Sequence, residues 1–161
     1  MIFGKLLLLP VLINVTNALV AFSPRNNNSF LEKLPSLDFF KVVEAPSKRG
    51  ATVIEAPVSQ DGVNLYIAID SDSFEGTVRP GNGGIRLLSY GSAKDAIDDA
   101  VRLAKGMTRK HDMFRTGFSG AKVVVNFEDK DLSEVERKEL MEDTAEALKA
   151  LEGTMYTGER S

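Results

Sequence analysis

A chain of 161 residues allows one domain of ordinary size, and 43% hydrophobic with 27% charged residues is the balance of a folded core, not of a disordered chain. The formal charge is −3 with acidic and basic residues interspersed, which leaves no electrostatic footprint for a nucleic acid. Cysteine is absent and His111 is the single histidine, so disulfides, thiolate metal sites and His-pair zinc motifs are excluded.

Residues 1–35 differ in kind from the rest. Lys5 gives a basic start, Leu6 to Ile13 a compact apolar run, and Ala18 and Ala21 a small-residue exit, the three-part layout of a secretory signal that is too short to span a bilayer. Arg25 follows with no acidic residue before Glu32, which is transit-peptide composition. Residues 18–24 resemble the Ala-Phe-x-Pro junction of bipartite plastid presequences in diatoms and related algae. Plastid delivery is therefore expected, with secretion as the alternative, which the sequon at Asn27 fits. The mature chain is expected to begin between residues 19 and 35, with residues 36–161 as its domain and no membrane role once the presequence is removed.

A short helix is expected from Ser36, with Leu37, Phe40 and Val43 on one side. The runs 51–56 and 63–70 read as an antiparallel strand pair, joined by the turn chemistry of Gln60-Asp61-Gly62. Residues 71–84, rich in Gly, Ser and Pro, read as the longest loop of the domain.

Ser92 caps the clearest element, a helix over 93–113 with Ala93, Ala96, Ile97, Ala100, Val101, Ala104 and Met107 at helical spacing. Asp95 in its first turn and Arg109 and Lys110 near its end suit the helix dipole. So many alanines let a sheet come close. A short strand follows over 121–127. Ser133 and Glu136 form a capping box for a second helix with Leu140, Met141, Thr144, Leu148 and Leu151 inward, ended by Gly153. Strands, a long helix, a strand and a closing helix describe an α/β layer: an open mixed β-sheet flanked by helices.

Lys110 near the helix end and Lys122 at the entry to the next strand are brought close by that order. Two ammonium groups over the small residues Ser119, Gly120 and Ala121 suit an anionic ligand: one can hold a carboxylate, while the other, shielded from water, has a lowered pKa and can act as base or proton donor. The ordinary alternative is that both are solvated lysines. Gly83 and Gly84 before Ile85-Arg86 add a second surface on which backbone can approach closely. Asp98 and Asp99, like Glu142 and Asp143, are read as solvated helix faces, and His111 as a surface residue. The segment 117–122 lacks the spacing of a phosphate loop, and no serine sits in a nucleophile elbow.

These pieces, GGIR at 83–86, RLAKGMTRK at 102–110, FSGAK at 118–122 and YTGE at 156–159, resemble the amino-terminal dimerisation and substrate domain of the glutamate/leucine/phenylalanine/valine dehydrogenases. The resemblance covers 51–159. It implies an open mixed sheet that dimerises through a sheet edge and helices, and oxidative deamination of an L-amino acid with NAD or NADP. It also implies that Lys110 holds the α-carboxylate, that Lys122 is catalytic at the amino or keto carbon, and that Gly83, Gly84 and Met107 line the substrate pocket. Asn82 stands where glutamate enzymes often carry a lysine for the side-chain carboxylate; an amide supplies no ion pair, which favours a branched-chain or aromatic substrate over glutamate.

Three departures qualify the resemblance. No G-x-G-x-x-G follows a strand, so no dinucleotide is expected to bind this chain alone, and the chain reads as a fragment or degenerate form without a nucleotide-binding domain. Arg160 stands where the family has an acidic residue that shares proton transfer. Ser119 and Arg79 replace glycines of the family pattern. Two readings follow: a substrate domain of an amino acid dehydrogenase, or a non-catalytic amino-acid-binding or assembly module that pairs with itself or with a full-length dehydrogenase subunit.

Overall fold

The computed structural model describes residues 39–44, 50–70, 73–74, 77–127 and 132–157, so the presequence reading lies outside the described residues. In chain order the elements are β1 (Lys41–Glu44), β2 (Ala51–Ala56), β3 (Val63–Asp70), β4 (Ser73–Phe74), β5 (Thr77–Val78), β6 (Gly81–Gly83), β7 (Ile85–Leu88), α1 (Ala93–Phe114), β8 (Ser119–Phe127), α2 (Glu134–Ala150) and β9 (Met155–Thr157). β1, β2, β3 and β8 are antiparallel neighbours, while β6 and β7 run parallel to β8 and β9 runs parallel to β6. The sheet is therefore mixed and open, as the order of elements predicts.

Each face of the sheet carries one helix, and the two-residue period of the strands decides which side chains meet which. On β8, Ala121, Val123 and Val125 join Leu65, Ile67 and Ile69 of β3 against Leu140, Ala147 and Leu151 at α2. Val124 with Tyr66, Ala68 and Val53 packs on Ala96, Ala100, Val101 and Ala104 of α1. The run of three valines is thus one strand buried on both faces, which is why it shows no alternation.

The alanine stripe of α1 is a close-approach device. A methyl group placed on Gly120 would stand 1.8 Å from the Ala104 carbonyl oxygen, and the Gly120 amide donates to Thr108 Oγ1 at 2.8 Å. Thr108 in turn donates to Asp70 Oδ2 at 2.6 Å, so a buried polar link joins α1, β3 and β8. Space around the FSGAK backbone is cleared for the helix, and Gly120 is the residue that makes the contact possible.

Several expectations need correcting. Of the helix expected from Ser36, residues 36–38 lie outside the described residues, and from Lys41 the chain is β1 instead: β-branched Val42 pairs with Ile54 on the β2 edge, the register shifts at Val43, Lys41 stands opposite Glu55 and is bonded to it at 3.0 Å, and Phe40 is buried against the α2 face. Three apolar residues at three-residue intervals are too weak a signal to resist an open sheet edge. Within 71–84, β4 pairs with β5 and Gly81–Gly83 is a strand, not a loop; its glycines serve close packing, since a methyl group on Gly83 would overlap the Ala121 carbonyl at 1.7 Å.

Ser92 caps α1 through the Asp95 amide, as expected, but Ala93 is exposed and Thr108 takes an inward place. In α2 the Ser133–Glu136 capping box is present. Met141 is exposed and Ala147 is buried, because Leu140, Thr144, Ala147 and Leu151 follow the 3.6-residue period and Met141 lies about 100° off it. Leu151 closes α2 through its backbone, and Gly153, at φ 83°, turns the chain towards β9. Asp143, half-buried on the face expected to be solvated, also has a partner: its Oδ2 accepts from the Ser59 amide at 2.7 Å and the Ser59 hydroxyl at 2.8 Å, tying α2 to the β2–β3 turn.

Candidate functional site

The site begins with a broken strand. β6 lies beside β8 with Gly81 opposite Ser119 and Asn82 opposite Gly120, and β7 continues with Ile85 opposite Val123 and Arg86 opposite Val124. The register is the same on both sides of Gly84, so β6 and β7 are one line along β8. At the break the Gly84 carbonyl accepts from the Val123 amide at 3.1 Å. Gly84 therefore stands across from Lys122, on the sheet face that α1 covers.

Lys122 has small neighbours on both strands: Gly84 on one side and Ala68 of β3 on the other. A methyl group on Gly84 would stand 3.4 Å from the Lys122 amine. The half-buried amine therefore lies over Gly84 with no side chain between them.

Burial and then the positive charge of Arg86 push the Lys122 amine below its usual range, against the opposing pull of Asp99. Asp99 lies on α1 with its side chain only 13% exposed, and accepts from Tyr90 at 2.7 Å, from Arg86 at 3.0 Å and from Arg102. Burial alone would raise its carboxyl. The hydrogen bonds from Tyr90 and Arg102 and the charges of Arg102 and Arg86 outweigh that and hold it below the usual carboxylate range. The Tyr90 phenol is pushed up to about 12, by burial first and then by the Asp99 carboxylate it serves.

Of the residues singled out in the sequence, the structure brings Gly84 and Lys122 together and sets Asn82 beside Gly120, with Gly83 buried against Ala121. Met107 is half-buried and Lys110 exposed on α1. The spacing Asp99, Leu103, Met107, Lys110 follows one flank of that helix, so both residues share a side with the carboxylate that acts on Lys122. His111 is half-buried rather than free on the surface: its Nε2 lies 3.3 Å from the Asn82 carbonyl and its Nδ1 2.8 Å from Thr116 Oγ1, with its ring beside Phe118, which in turn meets Tyr156.

Sequence reasoning missed Asp99, taking it with Asp98 for a solvated face. Asp98 does pair with Lys94 towards solvent, but Asp99 turns under the sheet edge. The four-residue steps from Asp99 to Met107 were the available signal. Arg86, the last residue of GGIR, carries no signal of a role in the sequence. The departure at Arg79 is absorbed by an ion pair with Asp112 at 2.6 Å, which ties the entry of β6 to the end of α1. The departure at Arg160 falls outside the described residues.

A cleft of about 370 Å³ lies elsewhere, between Phe39, Phe40 and the β2–β3 turn, and none of the expected site residues lines it. Among the described residues no three acidic or histidine side chains gather as a metal site, and no helix is long and apolar enough to cross a membrane.

Comparison with known proteins agrees with the fold. Residues 51–157 match the family model for the Glu/Leu/Phe/Val dehydrogenase dimerisation domain. The phenylalanine dehydrogenase of Thermoactinomyces intermedius is 34% identical over 100 residues, covering 62% of this chain and 25% of the relative. The leucine dehydrogenase of Bacillus cereus is 41% identical over 66 residues, or 41% of this chain and 17% of the relative. Among solved structures, the L-tryptophan dehydrogenase of Nostoc punctiforme superposes with a TM-score of 0.56 at 26% identity, over 70% of this chain and 32% of that one. A hetero-hexameric glutamate dehydrogenase from Thermus thermophilus shares the fold, with a TM-score of 0.50 at 19% identity over 97% of this chain and 36% of that one. The chain spans a quarter or less of the length of these two curated relatives. Its order of motifs, its mixed sheet and the matched family model lead to one conclusion: this chain belongs to the Glu/Leu/Phe/Val dehydrogenase family, and residues 51–157 are its dimerisation domain.

Proposed function

We propose that this domain holds an L-amino acid or its 2-oxo acid over Gly84, as the substrate-binding part of a dehydrogenase that deaminates oxidatively with NAD or NADP. In this reading Lys110 takes the α-carboxylate and Lys122 faces the amino or keto carbon. Gly83 and Gly84 give backbone access, and Met107 borders the side chain. The observation that carries the reading is the Lys122 amine: half-buried, lowered in pKa, and lying over a residue without a side chain, Gly84. A desolvated amine holds its proton less tightly than a solvated one, which is the direction a proton-transfer role needs.

Asn82 supports a branched-chain or aromatic substrate over glutamate, because an amide cannot neutralise a second carboxylate. The relatives named as leucine, phenylalanine and tryptophan dehydrogenases point the same way. Partner copies would meet along the β1 edge, where Val42 and Val43 are exposed on a strand with one open side. The destination read from the presequence is a plastid, tested by fusing residues 1–35 to a fluorescent protein in a diatom cell; export to the medium would contradict it.

Thermal denaturation of the 161-residue chain tests the ligand class. Millimolar 4-methyl-2-oxopentanoate or phenylpyruvate raises the midpoint, 2-oxoglutarate raises it less, and Lys110→Ala removes the rise. An equal rise with all three acids would overturn the specificity, and a rise unchanged in Lys110→Ala would overturn the pocket.

A further inference from the structure

We propose that Asp99 is a positioning residue for Lys122: clamped by Tyr90 and Arg102, its carboxylate holds the Arg86 guanidinium at a fixed place beside the lysine amine. The proposal deepens the reading above, since it rests on Lys122 being the working amine. It assigns a task to three residues, Arg86, Tyr90 and Asp99, that the pocket itself does not use.

The geometry comes from two elements that meet beside the break in the sheet edge. Arg86 sits two residues along from Gly84, hence on the same face as Lys122, and its Nη1 is 3.0 Å from Asp99 Oδ2. The same oxygen accepts from the Tyr90 hydroxyl at 2.7 Å, while Oδ1 takes Arg102 from the next turn of α1. Both carboxylate oxygens are thus engaged, and the group is held as a permanent anion instead of serving as a proton carrier. The Arg86 side chain, 39% exposed, is a long flexible cation that would otherwise gain entropy by moving into solvent.

The charges facing Lys122 can be named element by element. From β7 comes Arg86, and from α1 comes Asp99, itself tied to Arg102. β3 places Ala68 opposite, and its nearby acid, Asp70, sits beside Gly120 and receives the Thr108 hydroxyl. Lys110 lies further along the same flank of α1. Arg86 and Asp99, bonded to each other, are thus the cation and the anion that act on Lys122. Their separation from the amine sets how readily it gives up its proton, and a pinned guanidinium keeps that separation constant.

Amine labelling tests this without any turnover. The full chain is pulsed with limiting acetic anhydride across a pH series, and acylation of Lys122 is read by mass spectrometry against Lys149 on α2, which is exposed. Arg86→Met removes the repelling charge and slows Lys122 labelling several-fold near neutral pH. In an Asp99→Asn background the same change has much less effect, because the guanidinium has already left its place. An equal effect in both backgrounds overturns the positioning role, and no effect of Arg86→Met in the wild-type chain overturns the whole network. If Asp99→Asn loses its helical circular dichroism, Tyr90→Phe is the second background, and again the Arg86→Met effect shrinks; an undiminished effect there contradicts the proposal. The 2-oxo acid melting shift is independent of this readout, so a failed ligand and a failed network are told apart.

Discussion

Gly84 stands directly across from Lys122 on the adjacent strand, and a methyl group on that glycine would come 3.4 Å from the lysine amine. Three glycines in this region have quite different duties, and alanine substitution separates them. A methyl group on Gly83 or Gly120 would stand 1.7 or 1.8 Å from a backbone carbonyl oxygen, so Gly83→Ala and Gly120→Ala force strands or helix apart. Each is expected to cost about 3 kcal/mol or more in urea unfolding, at the upper end for overpacking. Gly84→Ala meets only the flexible end of a side chain, and is expected to cost less than about 1 kcal/mol while weakening 2-oxo acid binding. A Gly84→Ala chain that binds as well as wild type would mean that this side of Lys122 is not the ligand's approach.

The lowered pKa of Lys122 makes a signed prediction for stability. The unfolded chain keeps the lysine protonated up to 10.5, whereas the folded chain loses that proton at a lower pH. Between those two values the unfolded state binds more protons, so this residue makes stability rise with pH. Below the lowered value the buried charge is a constant penalty. Lys122→Met keeps the length without the charge, and is expected to raise the melting temperature near neutral pH and to flatten the rise on the alkaline side. A lower melting temperature with an unchanged slope would show that the amine is solvated.

Much of the fold was legible because its signals repeat. The stripe of alanines on α1, the Ser133–Glu136 box of α2 and the paired runs at β2 and β3 each combine periodicity with a cap or turn residue. β1 and β6 were illegible for physical reasons. Lys41–Glu44 takes its structure from the edge it pairs with, and Gly81–Gly83 looks like loop chemistry because its glycines answer to tertiary contact with Ala121 rather than to a turn. At the site, motif spacing led to Gly84 and Lys122. Asp99 was lost because two adjacent aspartates read as a solvated face, and only the sheet edge under α1 distinguishes one from the other.

At the end of α1, Arg115 adopts φ 52° and ψ 44°, a left-handed conformation that favours glycine, while its amide caps the helix. A side chain there costs about 1 kcal/mol. Arg115→Gly is expected to raise the melting temperature by a few degrees, part of the gain being offset by the greater freedom of glycine in the unfolded chain. A drop would show that the arginine side chain makes contacts worth more than its backbone strain.

Asp143 fastens α2 to the β2–β3 turn through both the amide and the hydroxyl of Ser59. Asp143→Ala should cost about 1 kcal/mol, and Ser59→Ala, which removes only the hydroxyl, should cost less. Hydrogen exchange of the Ser59 amide reads the same bond directly: it quickens in Asp143→Ala and stays slow in Ser59→Ala.

Protection of Lys122 from acylation by a bound 2-oxo acid tests the central claim most directly. With 4-methyl-2-oxopentanoate present, labelling of Lys122 falls several-fold while Lys149 labels as before. Equal labelling of Lys122 with and without the acid, at concentrations that shift the melting midpoint, would put the ligand elsewhere and contradict the site described.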